Sequence, residues 1–182
     1  MSKPVVISKE MIDDAAFNLV RTGGIETLSV RNIARDLGCS TKPVYRTYGN
    51  MEKLRQAVNE KVLEFMKENV STYRRTGHVL LDLGIANVLC AIKEKHLFLY
   101  ICQTKKYPHI TFYTIANDNL RALYAEQIGR KCPRDKLEKM AAHCGLFTFG
   151  LAMSCCFGIF TPTEDEIQAI LQNFLNTQIK DI

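Results

Sequence analysis

Residues 29–49 read SVRNIARDLGCSTKPVYRTYG, and the fold turns on how that stretch is parsed. Val30, Ile33, Ala34 and Leu37 recur at the spacing of a helix with one apolar face, and Ser29 precedes them as an N-cap. Gly38 closes this helix where the turn calls for a positive φ. A second short helix is expected from about Thr41 to Tyr48, with Pro43 in its first turn, where a missing N–H breaks no intrahelical bond. Val44 joins Ile33, Ala34 and Leu37 in one core, and the small Ala34 lets the second helix approach closely. The outward face is then Thr41, Lys42, Tyr45 and Arg46. Two short helices across a tight turn, the second bearing basic side chains, form the helix-turn-helix pattern. Four basic side chains against a single acid, Asp36, suit phosphate contact.

Helical periodicity extends in both directions. A first helix is expected from Ser8 to Thr22, with Ile12, Ala15, Ala16 and Leu19 as its stripe and Gly23-Gly24 as its stop. Asn50 caps a long helix with Glu52 in its first turn, favourable to the helix dipole. Further helices are expected at about 77–95, 96–105 and 109–130. Pro133 opens one that runs to about Gly158. Thr163 and Glu166 then form a capping box ahead of Ile167, Ile170, Leu171, Phe174 and Leu175. Strand and hairpin signals are almost absent. The expected fold is all-α, with about nine helices in two domains. Residues 1–49 are expected to form a three-helix DNA-binding domain and residues 50–182 a second, helical domain.

At the central stretch the chain resembles the TetR/AcrR family of transcriptional regulators. Residues 24–40, from Gly24 through Ser29, Ile33, Ala34, Leu37 and Gly38 to Ser40, look like the family's G-x-x-x-x-S/T-x-x-x-I-A-x-x-L-G-x-S. Residues 44–50, Val44-Tyr45-Arg46-Thr47-Tyr48-Gly49-Asn50, are similar to its LYxHFxN. The likeness covers about residues 8–58. Thr47 and Met51 stand where many members carry His and Lys, and Lys53 is the candidate to replace the phosphate contact. The resemblance implies a repressor of this type, with DNA contacts from Ser29, Arg31, Ser40, Thr41, Lys42, Pro43, Tyr45, Arg46, Thr47 and Lys53. Arg31 and Lys42 suit guanine O6 and N7, and Thr41 suits a thymine methyl. Arg46 suits phosphate, and Tyr48 is expected in the core.

Such a module gains specificity by pairing across a palindromic operator, so a homodimer on double-stranded DNA is expected. The last two helices are the expected dimer face, through Ala141, Gly145, Thr148, Ala152, Cys155, Ile170 and Phe174. The resemblance also implies a pocket for an unknown small-molecule effector, for which Phe65, Asn69, Tyr100, Tyr113, Asn117, His143 and Phe147 are candidates.

The 182 residues are 47% hydrophobic and 24% charged with a net charge of +5, within the range of globular proteins. No apolar run reaches the ~18 residues of a membrane span, and no signal peptide is visible. No membrane partner is expected, and a cytoplasmic location is. Seven cysteines without CxxC spacing read as small apolar fillers. A thiol- or metal-responsive regulator using His143-Cys144 and Cys155-Cys156 is an alternative. A small Cys-dependent enzyme is a weaker one, since HExxH, P-loop, nucleophile-elbow and dinucleotide motifs are missing. No cofactor is expected.

Overall fold

The computed structural model describes residues 6–103 and 134–180, and these are helical with no strand among them. Among the described residues there are eight α-helices: α1 Lys9–Gly23, α2 Val30–Asp36, α3 Lys42–Tyr48, α4 Met51–Ser71, α5 Val79–Lys93, α6 Lys95–Gln103, α7 Arg134–Cys156 and α8 Glu164–Lys180. The expected all-helical architecture is the observed one. The helix expected at 109–130 lies outside the described residues, as do Tyr113 and Asn117. The described residues fall into two compact units, 6–65 with 96–103 and 66–95 with 134–180.

Local chemistry sets the helix ends of the first unit. Ser8 Oγ accepts from the Met11 N–H at 3.2 Å, and Ser29 Oγ accepts from the Asn32 N–H at 3.1 Å. Asn50 Oδ1 accepts from the Lys53 N–H at 3.0 Å. Each satisfies a backbone donor that a helix start leaves orphaned. A 3₁₀ turn over Ile25–Thr27 joins α1 to α2, an element the apolar period does not announce. It is held by the Thr27 hydroxyl, which donates to Leu19 O at 2.7 Å, and by Asn32 Nδ2, which donates to Thr27 O at 2.7 Å. The core comprises Ile12, Ala16 and Val20 of α1, Ile33 of α2, Val44 of α3, Leu54, Val58 and Val62 of α4, and Leu97 and Phe98 of α6, all essentially inaccessible. Each such aliphatic side chain contributes about 1.5–3 kcal/mol on burial.

In the second unit α5 packs against both α7 and α8. Gly84 makes that approach possible, because a Cβ there would lie 3.1 Å from Leu171 Cδ1 and 3.7 Å from Thr148 Oγ1. Thr163 and Glu166 form the expected capping box: the Glu166 carboxylate accepts from the Thr163 N–H at 2.7 Å, and Thr163 Oγ1 accepts from the Glu166 N–H at 3.3 Å.

The loop between α4 and α5 is tied down by charge. The Arg75 guanidinium forks onto Glu164 Oε1, at 2.7 Å, and onto Asp165. The Tyr73 hydroxyl donates to the same Glu164 oxygen at 2.5 Å. From the other side Asp82, only 1% exposed, accepts from the Thr76 N–H and hydroxyl, both at 2.8 Å. Burial of Asp82 works to raise its carboxyl's pKa. The bonds from Thr76 and the N–H groups of Arg75 and Gly77 outweigh it and hold the carboxyl below its ordinary value. Tyr73, then Arg75, do the same for Glu164.

A group whose pKa is lower folded than unfolded stabilises above its unfolded value and loses that contribution as pH falls through its folded one. The second unit should therefore lose stability below about pH 4, where free carboxylates begin to protonate. Thermal melts across pH 2–6 should show Asp82→Asn with a shallower acid slope than wild type. Equal slopes would remove Asp82 from the account.

Candidate nucleic-acid interface

Ile33, Ala34 and Val44 form the joint between α2 and α3, and all three are buried. Gly38 turns the chain between them at φ 60°, as the tight turn requires, and the Cys39 N–H donates to Ala34 O at 2.9 Å. Val44 and Tyr48, four residues apart on one face of α3, point inward and are 1% and 8% exposed. The opposite face therefore has to look outward.

Lys42, Arg46 and Thr47 are exposed, and Tyr45 presents an aromatic ring that is 53% exposed. Arg31 on α2, Ser40 in the turn and Lys53 in the first turn of α4 are exposed as well, while Ser29, Thr41 and Pro43 are half-buried. All ten residues expected to touch DNA thus belong to the first unit, and none lies in its core. Tyr48, expected in the core, is there.

The cations divide into two kinds. Lys9 is paired with Asp13 at 2.6 Å, and Lys61 is paired with Asp14. Arg31, Lys42, Arg46 and Lys53 have no acidic partner among the described residues. Four uncompensated positive charges around an outward-facing short helix are what a polyanion can neutralise with release of its counterions.

The candidates for an effector pocket are distributed differently. Phe65 and Tyr100 belong to the first unit. Phe65 meets Phe17 edge-on at 5.3 Å, and Tyr100 is buried, which pushes its hydroxyl up to about 12. In the second unit Asn69 and His143 are exposed, and His143 Nδ1 is hydrogen-bonded to Gln178 at 2.9 Å. Phe147 stacks on Phe174 with ring centroids 4.0 Å apart. The second unit does contain a cavity of about 40 Å³, lined by Leu80 and Leu81 of α5, Cys144 and Thr148 of α7, and Leu171, Phe174 and Leu175 of α8. Asn69, His143 and Phe147 do not line it. Cys144, named above only for a thiol or metal site, lines it, and Asp82 is what residue patterns left out. The signal for Asp82 was present, as a lone acid in the apolar run Val79–Cys90.

Residues named for the dimer face also divide. Thr148, Ala152 and Cys155 are buried within the unit, on the side of α7 that α5 covers. Ala141, Gly145, Ile170 and Phe174 are half-buried. The open side of α7 instead displays Leu146, at 64% exposure, and Phe157, just past the helix end, is 56% exposed.

Burial raises the thiol pKa of Cys90 and Cys144 to about 11, and burial also pushes up Cys155 and Cys156. At neutral pH these four are thiols rather than the thiolates that bind metals or attack electrophiles. Among the described residues no three His, Cys, Asp or Glu side chains are placed to hold a metal ion, and no helix is long and apolar enough to cross a membrane.

Residues 12–58 match the model for "Bacterial regulatory proteins, tetR family". No curated protein sequence matches the chain. Among solved structures the chain is similar to a transcriptional regulator from Rhodococcus sp. Rha1, with a TM-score of 0.65 and 16% identity over 96% of this chain and 97% of that one. It is also similar to a TetR-family transcriptional regulator from Vibrio parahaemolyticus, with a TM-score of 0.62 and 15% identity over 92% and 96%. A third likeness is to the TetR family transcriptional regulator CifR, a cysteine mutant complexed with 26-bp double-strand operator DNA. Its TM-score is 0.65 and its identity 12%, over 96% and 98%. At such identities the likeness is one of fold.

Proposed function

We propose that this chain, whose residues 12–58 match the tetR-family model, is a transcriptional regulator of that type and represses transcription as a homodimer on a palindromic operator. Residues 1–49 serve as the DNA-binding domain and residues 50–182 as the sensing and dimerisation domain. Each protomer lays α3 in a major groove. Lys42 and Arg31 reach guanine O6 and N7, and Thr41 touches a thymine methyl. Arg46, Tyr45, Thr47, Lys53 and the turn at Ser40 and Pro43 contact the sugar-phosphate backbone. Ser29 keeps its hydroxyl hydrogen for a phosphate oxygen, since its oxygen is occupied as a cap acceptor. The observation that carries this reading is the outward face of α3, whose cations are unpaired. A neighbour of the same fold held on operator DNA supports duplex DNA as the ligand.

Lys42→Ala should weaken operator binding by more than ~1 kcal/mol, at least fivefold, and relax discrimination at one base position. A gel shift at fixed salt that finds unchanged affinity would defeat the assignment of Lys42.

The effector belongs to the second unit in this reading, where the cavity beside Cys144 and Thr148 is lined chiefly by leucines and a phenylalanine. Apolar walls with a few polar groups are the usual make-up of a small-molecule site. α4 contributes residues to both units. A ligand that prefers one packing of the second unit would shift α4 and respace the recognition helices, and so loosen DNA by its differential affinity. The exposed apolar side of α7 is the proposed dimer surface.

A further inference from the structure

At position 48, where the resembling family motif has Phe, this chain has Tyr, so its recognition helix carries one extra hydroxyl. That hydroxyl donates to Asp13 Oδ1 of α1. Asp13 in turn holds Lys9 at 2.6 Å through its other oxygen. The Lys9 ammonium sits 5.4 Å from the centroid of the Tyr48 ring, within range of a cation–π contact. The three groups close a ring. Burial raises the pKa of Tyr48, and Asp13 raises it further, so the hydroxyl keeps its proton and remains the donor.

α3 has seven residues, and only Val44 and Tyr48 anchor it in the core. Two apolar contacts four residues apart fix which face is buried, but they restrain rotation about the helix axis weakly, because dispersion has little directionality. A hydrogen bond to a carboxylate is short, strong and directional. We infer that Tyr48 and Asp13 are positioning residues for sequence readout, their bond setting the rotation of α3 that aims Thr41 and Lys42 at base edges. Neither touches DNA in this arrangement. Lys9, satisfied by Asp13, orients the carboxylate. The inference rests on the DNA-binding reading above and adds to it the origin of the helix's aim.

Tyr48→Phe isolates the bond, since it keeps the ring and changes no charge. The probes are a duplex selected from a random pool by the wild-type full-length protein, and a scrambled duplex of equal composition. Tyr48→Phe should bind the selected duplex about three- to tenfold more weakly, the range expected for the net contribution of one hydrogen bond. Binding to the scrambled duplex, and its salt dependence, should not move, because every phosphate-contacting charge remains. Asp13→Asn retains an acceptor for the hydroxyl and should keep most of the selectivity, whereas Asp13→Ala should lose it. The double variant Asp13→Ala/Tyr48→Phe should be no less selective than Asp13→Ala alone.

Melting curves accompany each variant. A Tyr48→Phe protein that melts like wild type and keeps the full selected-to-scrambled ratio overturns the inference. Equal losses on both duplexes also overturn it, because they mark a general weakening of the fold. A wild-type protein that enriches no duplex from the pool would instead overturn the DNA-binding reading itself.

Discussion

Ile33→Ala is expected to destabilise the first unit by about 3 kcal/mol and to abolish operator binding at temperatures where the second unit is still folded. Ile33 is fully inaccessible. It lies on α2 directly behind the joint to α3, and its backbone carbonyl accepts from the Leu37 N–H at 3.0 Å as the helix ends. Removing three carbons from such a site loses their transfer energy and leaves a cavity, a combination that ordinarily amounts to 2–5 kcal/mol. α2 and α3 are seven residues each, too short to persist without tertiary packing, so little can compensate.

Amide hydrogen exchange gives the local readout. Amides of α1 to α3 should lose protection by about 100-fold, the equivalent of ~3 kcal/mol, while those of α5, α7 and α8 keep theirs. Unchanged protection in α2 and α3 would show that the joint does not depend on Ile33. Lys42→Ala serves as the contrast. It removes an exposed side chain, should leave exchange untouched, and weakens only DNA binding.

The difference between these two substitutions shows which features sequence can carry. Ile33 and Lys42 are assigned to opposite sides by local period, and the structure places them so. Caps at Ser8, Ser29, Asn50 and Thr163 were legible for the same reason: a cap is a bond within four residues, and residue type identifies it. The positive φ at Gly38 was legible because a helix that stops and turns inside two residues has few other solutions.

What escaped the sequence has a different origin. Tyr48 and Asp13 are 35 residues apart, and nothing local to either announces the other. Arg75 meets Asp165, which lies 90 residues away. The 3₁₀ turn at Ile25–Thr27 is shorter than one apolar repeat. α7 misled for a further reason, since apolar residues occur on both of its sides. Ala152 and Cys155 satisfy the apolar period on one side, and Leu146 and Phe157 satisfy it on the other. Period finds an apolar face but does not say which of two faces its own chain will cover. Small side chains there mark the side where α5 approaches closely, through Gly84.

That reassignment moves the proposed dimer surface and makes it testable. Leu146, Gly150, Met153 and Phe157 follow at i, i+4, i+7 and i+11, one stripe that runs along α7 to the first residue past its end. Gly150 is exposed, and a Cβ added to it would meet nothing within 4 Å. Beyond the helix end the apolar surface continues through Ile159 and Phe160, 79% and 40% exposed. An apolar patch of this continuity is uncommon on a surface that faces only water. A two-fold axis would set the stripe against its own copy, so that each residue is buried twice.

Leu146→Arg should therefore place two guanidinium groups without acidic partners in one interface, an arrangement costing several kcal/mol. Because Leu146 is 64% exposed in the protomer, the fold itself should be unaffected, and the circular dichroism spectrum should match wild type, while the melting temperature should lose its dependence on protein concentration. Sedimentation should show the variant as a monomer at micromolar concentration, where wild type should sediment as a dimer. Operator affinity should fall by about 100-fold or more, since linking two half-site contacts ordinarily contributes 10²–10⁴ in apparent affinity. Half-site affinity should remain, because α3 is untouched. A Leu146→Arg protein that sediments as a dimer would place the interface elsewhere. A monomeric variant that binds the full operator as tightly as wild type would show instead that pairing plays no part in recognition.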